Sequence, residues 1–140
     1  MPIRADLRHL YKCLEFREAR RRAVLRSGDT CEQCGKPNRT RVESHYSGGL
    51  MWWRRGDGDL WRRCDRRLCE PPAEGRVRLV KVICTLAHLN HDPTNNSDGN
   101  TRLLCQWCHL NHDRFHHHLV RALRKDGRRP LLAFLDRMRA

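Results

Sequence analysis

Residues 83–113 read Ile-Cys-Thr-Leu-Ala-His-Leu-Asn-His-Asp-Pro-Thr-Asn-Asn-Ser-Asp-Gly-Asn-Thr-Arg-Leu-Leu-Cys-Gln-Trp-Cys-His-Leu-Asn-His-Asp. No other stretch of the chain is so dense in groups able to bind a metal or move a proton: His88, His91, Asn100, Cys105, Cys108, His109, His112 and Asp113. The run leading into it, residues 76–87, alternates weakly and is rich in Val, Leu and Ile, which predicts one strand running into His88. The Pro, Asn, Ser, Asp and Gly residues from Asp92 to Asn100 predict a polar loop. From Thr101 to about Leu123 a helix is expected, broken by Asp126 and Gly127. Pro130 then opens a final helix over 130–139, with Leu131, Leu132, Phe134, Leu135 and Met138 as its apolar face.

Cys105 and Cys108 form a Cys-x-x-Cys, and Cys31-Glu-Gln-Cys34-Gly35 supplies a second one at the start of the segment 31–38. Such a turn lets two thiolates converge on one ion, and the glycine after it permits a left-handed bend. Cys31, Cys34, Cys105 and Cys108 together therefore predict a structural zinc site. Cys13 and Cys84 stand alone. Cys64 and Cys69 lack the tight spacing and read as free thiols, with a second zinc shared with His45 as the alternative.

Composition asks for such a staple. A chain of 140 residues with 39% hydrophobic residues and a mean hydropathy of −0.83 is most simply one domain with a thin core. No apolar leader and no run of about eighteen apolar residues is present, so a cytoplasmic protein without a membrane partner is expected, in which paired cysteines bind zinc before they form disulfides. The 29 Lys plus Arg against 16 Asp plus Glu give a net charge of +13, which favours a polyanionic partner, nucleic acid foremost. Arginine dominates, which suits bidentate phosphate contacts.

Residues 1–12 read as an arm carrying Arg4, Arg8, His9 and Lys12. Over 14–27 the apolar positions Leu14, Phe16, Ala19, Ala23, Val24 and Leu25 recur near a helical period among Arg17, Arg20, Arg21, Arg22 and Arg26, and Ser27-Gly28 ends the helix. Within 39–82, a β-rich insertion, short strands are expected over 41–46, 50–54, 59–63 and 76–84, with a hairpin turn at Gly56-Asp57-Gly58. Trp52, Trp53 and Trp61 among Arg54, Arg55, Arg62 and Arg63 read as core and cover, with base stacking as the alternative. Trp107 reads as packing against the zinc turn. His116, His117 and His118 are given no catalytic role.

With these residues in view, 31–34 together with 83–113 resembles the HNH endonucleases, the type in which a ββα-metal motif is stapled by zinc between two Cys-x-x-Cys pairs. The resemblance covers about a third of the chain, and a basic helix before the first Cys pair is similar to the family's lead-in. It implies an α+β, treble-clef-like fold with the ββα-metal motif over 83–118, flanked by basic helices. It further implies hydrolysis of DNA phosphodiester bonds, leaving a 5′ phosphate, in a bacterial or phage setting. Asn100-x-x-x-Leu104-Cys105-x-x-Cys108-His109 is similar to the family's pattern, so Asn100 would brace the loop and orient the base. His109 would bind a catalytic divalent ion, with Asp113 or His112 as a further ligand. That ion would be Mg2+, Mn2+, Ni2+ or Zn2+, apart from the structural Zn2+. Where the family shows a ligand followed directly by the base, this chain offers Asn90-His91 with Pro93 beyond, or Ala87-His88. Asn90's amide oxygen and the distance to Pro93 lean the assignment to His91 as base, with Asn90 coordinating weakly; His88 as base, with His91 or Asp92 reaching the metal, is the alternative.

Phosphate contacts are expected from Arg17, Arg20 and Arg21 of the first helix, Arg54 and Arg55 of the Trp/Arg-rich middle, and Arg114. The alternative to an enzyme is an HNH-like scaffold impaired in catalysis, which binds nucleic acid or a protein partner of a phage or bacterial system. Asn90 in place of the usual carboxylate is the feature that favours it.

Overall fold

The computed structural model describes residues 5–125, so the expected helix at 130–139 lies outside the described residues. The chain is α+β, with two α-helices and two antiparallel sheets among the described residues.

After a short 3-10 turn at Ala5–Leu7, helix α1 spans Leu14–Ser27 and ends on Gly28, whose left-handed φ of 63° lets its N–H reach the Val24 carbonyl. Its buried face is narrower than the spacing suggested. Ala19 and Ala23 are fully buried one turn apart, while Leu14 and Leu25 stand in solvent. Small side chains at the centre of the contact let the helix backbone lie close to the hairpin below.

Strands β1 (Arg41–Ser47), β2 (Leu50–Arg54), β3 (Arg62–Arg63) and β4 (Arg76–Lys81) form one sheet in the order β3-β2-β1-β4. Gly48 and Gly49, both at positive φ, make the tight turn from β1 to β2. The hairpin expected around Gly56–Gly58 is present, with β2 paired to a β3 shortened to two residues. Trp52, Trp53 and Trp61 are buried, as packing groups rather than open stacking platforms. Trp53 donates its indole N–H to the Cys34 carbonyl at 3.0 Å, which ties this sheet to the first cysteine turn.

The second sheet is the hairpin of β5 (Cys84–His88) and β6 (Thr101–Cys105), followed directly by α2 (Gln106–Lys125). Two expectations are corrected here. The single strand expected over 76–87 is broken between Lys81 and Cys84, because Val82 pairs back to Arg39 and Thr40 and Asn38 takes the Cys84 N–H at 2.8 Å. Nothing in a run of β-formers marks such a corner; a side chain distant in sequence makes it. Thr101–Cys105 is a strand and not the first turn of the helix, since pairing with β5 from Cys84↔Cys105 to His88↔Thr101 buries Thr101, Leu103, Leu104 and Cys105. The helix begins where the second cysteine pair needs it, one residue after Cys105.

One apolar cluster joins these parts: Ala19 and Ala23 of α1, Val42, Met51 and Trp53 of the first sheet, Leu86, Leu103 and Leu104 of the hairpin, and the four paired cysteines. No helix among the described residues is long and apolar enough to cross a membrane.

Candidate functional site

Among the described residues, two clusters of candidate ligands lie at the two ends of the hairpin. In the first, Cys31 and Cys34 from the turn after α1 meet Cys105 at the end of β6 and Cys108 in the first turn of α2. All four are buried, and their sulfurs lie within 4.8 Å of one another. The Cys34 and Cys105 sulfurs are 3.7 Å apart. That is far beyond a disulfide bond of ~2.05 Å. It is close to the ~3.8 Å edge of a tetrahedron of sulfurs ~2.3 Å from zinc. Local backbone shapes the cradle, with Gly35 at φ 77° donating to the Cys31 carbonyl and Cys31 donating to the Lys36 carbonyl. The donor set fits a structural zinc ion. Glu32 fastens the turn to β6, its N–H bonding the Leu103 carbonyl at 2.8 Å and its carboxylate accepting from the Leu103 N–H and Arg26. Cys84 stays outside the cluster with its thiol pushed up to about 12 by burial and the nearby cysteine charges.

At the other end α2 presents His109, His112 and Asp113 toward the loop that leaves β5. His91 Nδ1 lies 3.3 Å from one Asp113 oxygen and His109 Nε2 lies 3.4 Å from the other. His91, His112 and Asp113 offer ligand atoms within 4.8 Å of one another. His109 joins them through the second carboxylate oxygen rather than through that group directly. Thr85 of β5 holds His109 Nδ1 at 2.8 Å, so that Nε2 faces the carboxylate. The Nε2 atom of His112 is buried without a hydrogen-bond partner. Burial, chiefly, lowers the His109 pKa against the pull of Asp113. For Asp113, burial acts upward, but the hydrogen bond from His91 and the charges of the surrounding histidines outweigh it and hold the carboxyl below its usual range. A neutral imidazole beside an ionised carboxylate is the state in which both can ligate a cation.

The loop between β5 and β6 is braced by Asn100. Its Oδ1 accepts from the Asn90 N–H at 3.1 Å, and its amide nitrogen donates to Asn90 Oδ1 at 2.9 Å and to the Asn95 carbonyl at 2.8 Å. Asn90 Oδ1 also takes the Asp92 N–H, so this amide oxygen, expected as a weak metal ligand, is engaged within the loop. His91 itself sits at φ 62°, a left-handed conformation that histidine adopts more readily than most side chains, and its N–H bonds the His88 carbonyl. His88, at the end of β5, is only 7% exposed. Its Nε2 lies 3.0 Å from Asn96 Oδ1, and its ring is flanked by Phe16 of α1 and by Tyr11.

No protein-family model, curated protein or solved structure matches this chain. Among the basic residues expected to meet phosphate, Arg17, Arg21, Arg55 and Arg114 are exposed and Arg20 is half-buried. Arg54 is held inside the first sheet by Glu43 and Asp57 and lies over the Trp61 ring at 4.7 Å. Arg22 and Arg26 serve the hairpin, Arg22 bonding Asp98 and the Asn96 carbonyl, Arg26 bonding Glu32 and the Thr101 carbonyl. Among the described residues no metal-sized group forms from His45, Cys64 and Cys69. His45 contacts the Glu74 carbonyl and Cys69 accepts from Trp52. Thr85, Asn96 and Tyr11 carried no signal in the sequence, since each becomes visible only once β5, the loop and the N-terminal segment are placed around the histidines.

Proposed function

We propose that the β5–β6 hairpin and α2 form an HNH-type, ββα-metal centre that hydrolyses phosphodiester bonds in DNA. The observation that carries this reading is the convergence of His91, His112 and Asp113, with His109 on the same carboxylate, beside a strand-end histidine and an asparagine-braced loop. A closed four-thiol site next to an N/O site is the division expected between a structural and a catalytic ion.

The N/O donor set suits Mn2+, Ni2+ or Zn2+, and Mg2+ with more of its shell left to water. His91, His109, His112 and Asp113 would hold it. Of the two assignments weighed from the sequence, the second is favoured: His91 faces Asp113 as a ligand, Asn90 belongs to the loop brace, and His88 is the base. A divalent ion held there supplies charge stabilisation to the phosphorane and to the departing 3′ oxygen. The tautomer that pairs with Asn96 Oδ1 carries its proton on Nε2 and leaves the Nδ1 lone pair to take a proton from water. The water oxygen bonds phosphorus, the bond to the 3′ oxygen breaks, that oxygen is protonated from solvent, and the phosphate remains on the 5′ side. Asn100 keeps His88 and His91 at fixed positions through Asn90 and Asn95.

A rival reading, an HNH-like scaffold that binds nucleic acid or a protein partner without cutting, draws on Ala87, which stands directly before His88 and cannot ligate. Supercoiled plasmid incubated with purified protein and Mg2+, Mn2+, Ni2+ or Zn2+ separates the two. Nicking that requires added ion and is lost in His109→Ala supports the nuclease. Binding without cutting under every ion, with the zinc cluster intact, supports the scaffold.

A further inference from the structure

The segment before α1 is folded against the histidine site. Residues 5–13 run as successive tight turns, with Arg8 N–H on the Ala5 carbonyl, Leu10 on Leu7, Lys12 on His9, and the Cys13 thiol on the Leu10 carbonyl. These turns place the Tyr11 ring 5.3 Å from Phe16 and 6.3 Å, edge-on, from His88. Phe16 completes the enclosure 6.0 Å from the same imidazole. Leu7, Leu10 and Tyr11 are half-buried, whereas Arg8, His9 and Lys12, on the same turns, are exposed. One side of the segment thus touches the imidazole, and exposed cations lie next to it in sequence.

We propose that this segment is a wall of the substrate groove: Tyr11 is a positioning residue that fixes the His88 ring, and Arg8 and Lys12 grip the phosphates of the nucleic-acid strand flanking the cleaved bond. The proposal rests on the nuclease reading and adds to it where the strand runs. A T-shaped ring contact on the imidazole, with Asn96 on Nε2, restricts both ring rotation and tautomer exchange. Burial and then the Asp113 carboxylate raise the Tyr11 pKa, so the phenol stays protonated across the neutral range and adds no negative charge to a phosphate path.

The test uses the whole zinc-loaded protein in the variants Tyr11→Phe, Tyr11→Ala and Arg8→Ala/Lys12→Ala. Imidazole 15N shifts distinguish the two neutral tautomers over a range far wider than ring currents cause. In the wild type His88 is expected to show one tautomer. In Tyr11→Ala its two nitrogens move toward each other, and kcat for plasmid nicking falls about tenfold with little change in KM. Tyr11→Phe restores both. The double variant weakens binding of a DNA duplex at low salt about fivefold and reduces the salt slope by about 2. Should Tyr11→Ala lose its zinc, Tyr11→Leu, which keeps the bulk, takes its place. An unmoved His88 nitrogen pattern in the Ala or Leu variant overturns the positioning role, and unmoved duplex affinity in the double variant overturns the phosphate grip. If the wild type cuts nothing, the nuclease reading fails on its own, while the nitrogen shifts and duplex binding still decide what the segment does.

Discussion

His91 combines a left-handed backbone with a candidate ligand side chain, and the two can be separated. Its φ of 62° is tolerated better by asparagine than by most residues, so His91→Asn is expected to leave the unfolding free energy from urea denaturation within about 0.5 kcal/mol of wild type. The same variant should weaken Mn2+ binding in calorimetry by about tenfold or more, because Asp113 loses its nearest neighbour in the ligand group. Affinity equal to wild type would remove His91 from the site. Among the described residues the buried Nε2 of His112 has no hydrogen-bond partner, and a bound ion would give it one. Asn38 works at the same scale for the fold. Its Oδ1 holds the N–H groups of Arg39 and Cys84, and its amide nitrogen donates to Asp29. Asn38→Ala should lower stability by about 1–3 kcal/mol in urea unfolding, since the buried Cys84 N–H is left without an acceptor. The candidate ligands were legible as types at a spacing: Cys-x-x-Cys twice, then His109 and Asp113 a helical turn apart. Asn38, Asn96 and Thr85 were not, because a lone polar residue in a loop or strand has no periodic partner to reveal it.

The hairpin and helix form the element on which the site depends, and they set its response to pH. His109 has a folded pKa below its ordinary ~6.5, so between those two values the unfolded chain binds more protons and stability rises with pH. Asp113 is held below its ordinary ~3.9, so its contribution is present above that value and is lost as pH falls through the depressed one. Zinc-stapled protein without the second ion should therefore unfold at lower urea as pH is brought from 7.5 toward 5, and the further loss expected below about pH 4 should be absent in Asp113→Asn. Divalent-ion affinity should fall over the same range, because the imidazoles must be neutral to ligate. Affinity flat from pH 7.5 to 5 would contradict histidine ligation. The element was only half legible from its residues. β-Branched density gave the strand into His88, but the corner at Val82 is made by contacts with Arg39, Thr40 and Asn38. Thr101–Cys105 suits helix and strand alike, and only its pairing with β5 decides.

At the scale of the whole molecule, four cysteines from two distant segments join the first turn to the hairpin and to α2, and they lie inside the apolar cluster that unites α1 with both sheets. For zinc in such a site an apparent binding energy of about 10 kcal/mol or more acts as folding energy. Chelation, or Cys31→Ser, should collapse the far-ultraviolet circular dichroism and expose Trp53, whose indole is tied to Cys34, to quencher in fluorescence. An unchanged spectrum after zinc removal would show that the apolar cluster alone suffices. The net charge of +13 was legible at once, though its use was not. Part of it is matched within the molecule, since Arg22, Arg26 and Arg54 bind carboxylates, while Arg17, Arg21, Arg55 and Arg114 are among the exposed cations. The most direct test of the central claim is plasmid nicking by wild type and His88→Ala at one Mn2+ concentration, with DNA and ion binding measured alongside. The wild type should nick, and His88→Ala should retain zinc and bind Mn2+ and DNA as the wild type does, yet cut at least about a hundredfold more slowly. His88→Ala cutting at the wild-type rate, or a wild type that binds both and cuts nothing, would contradict that claim.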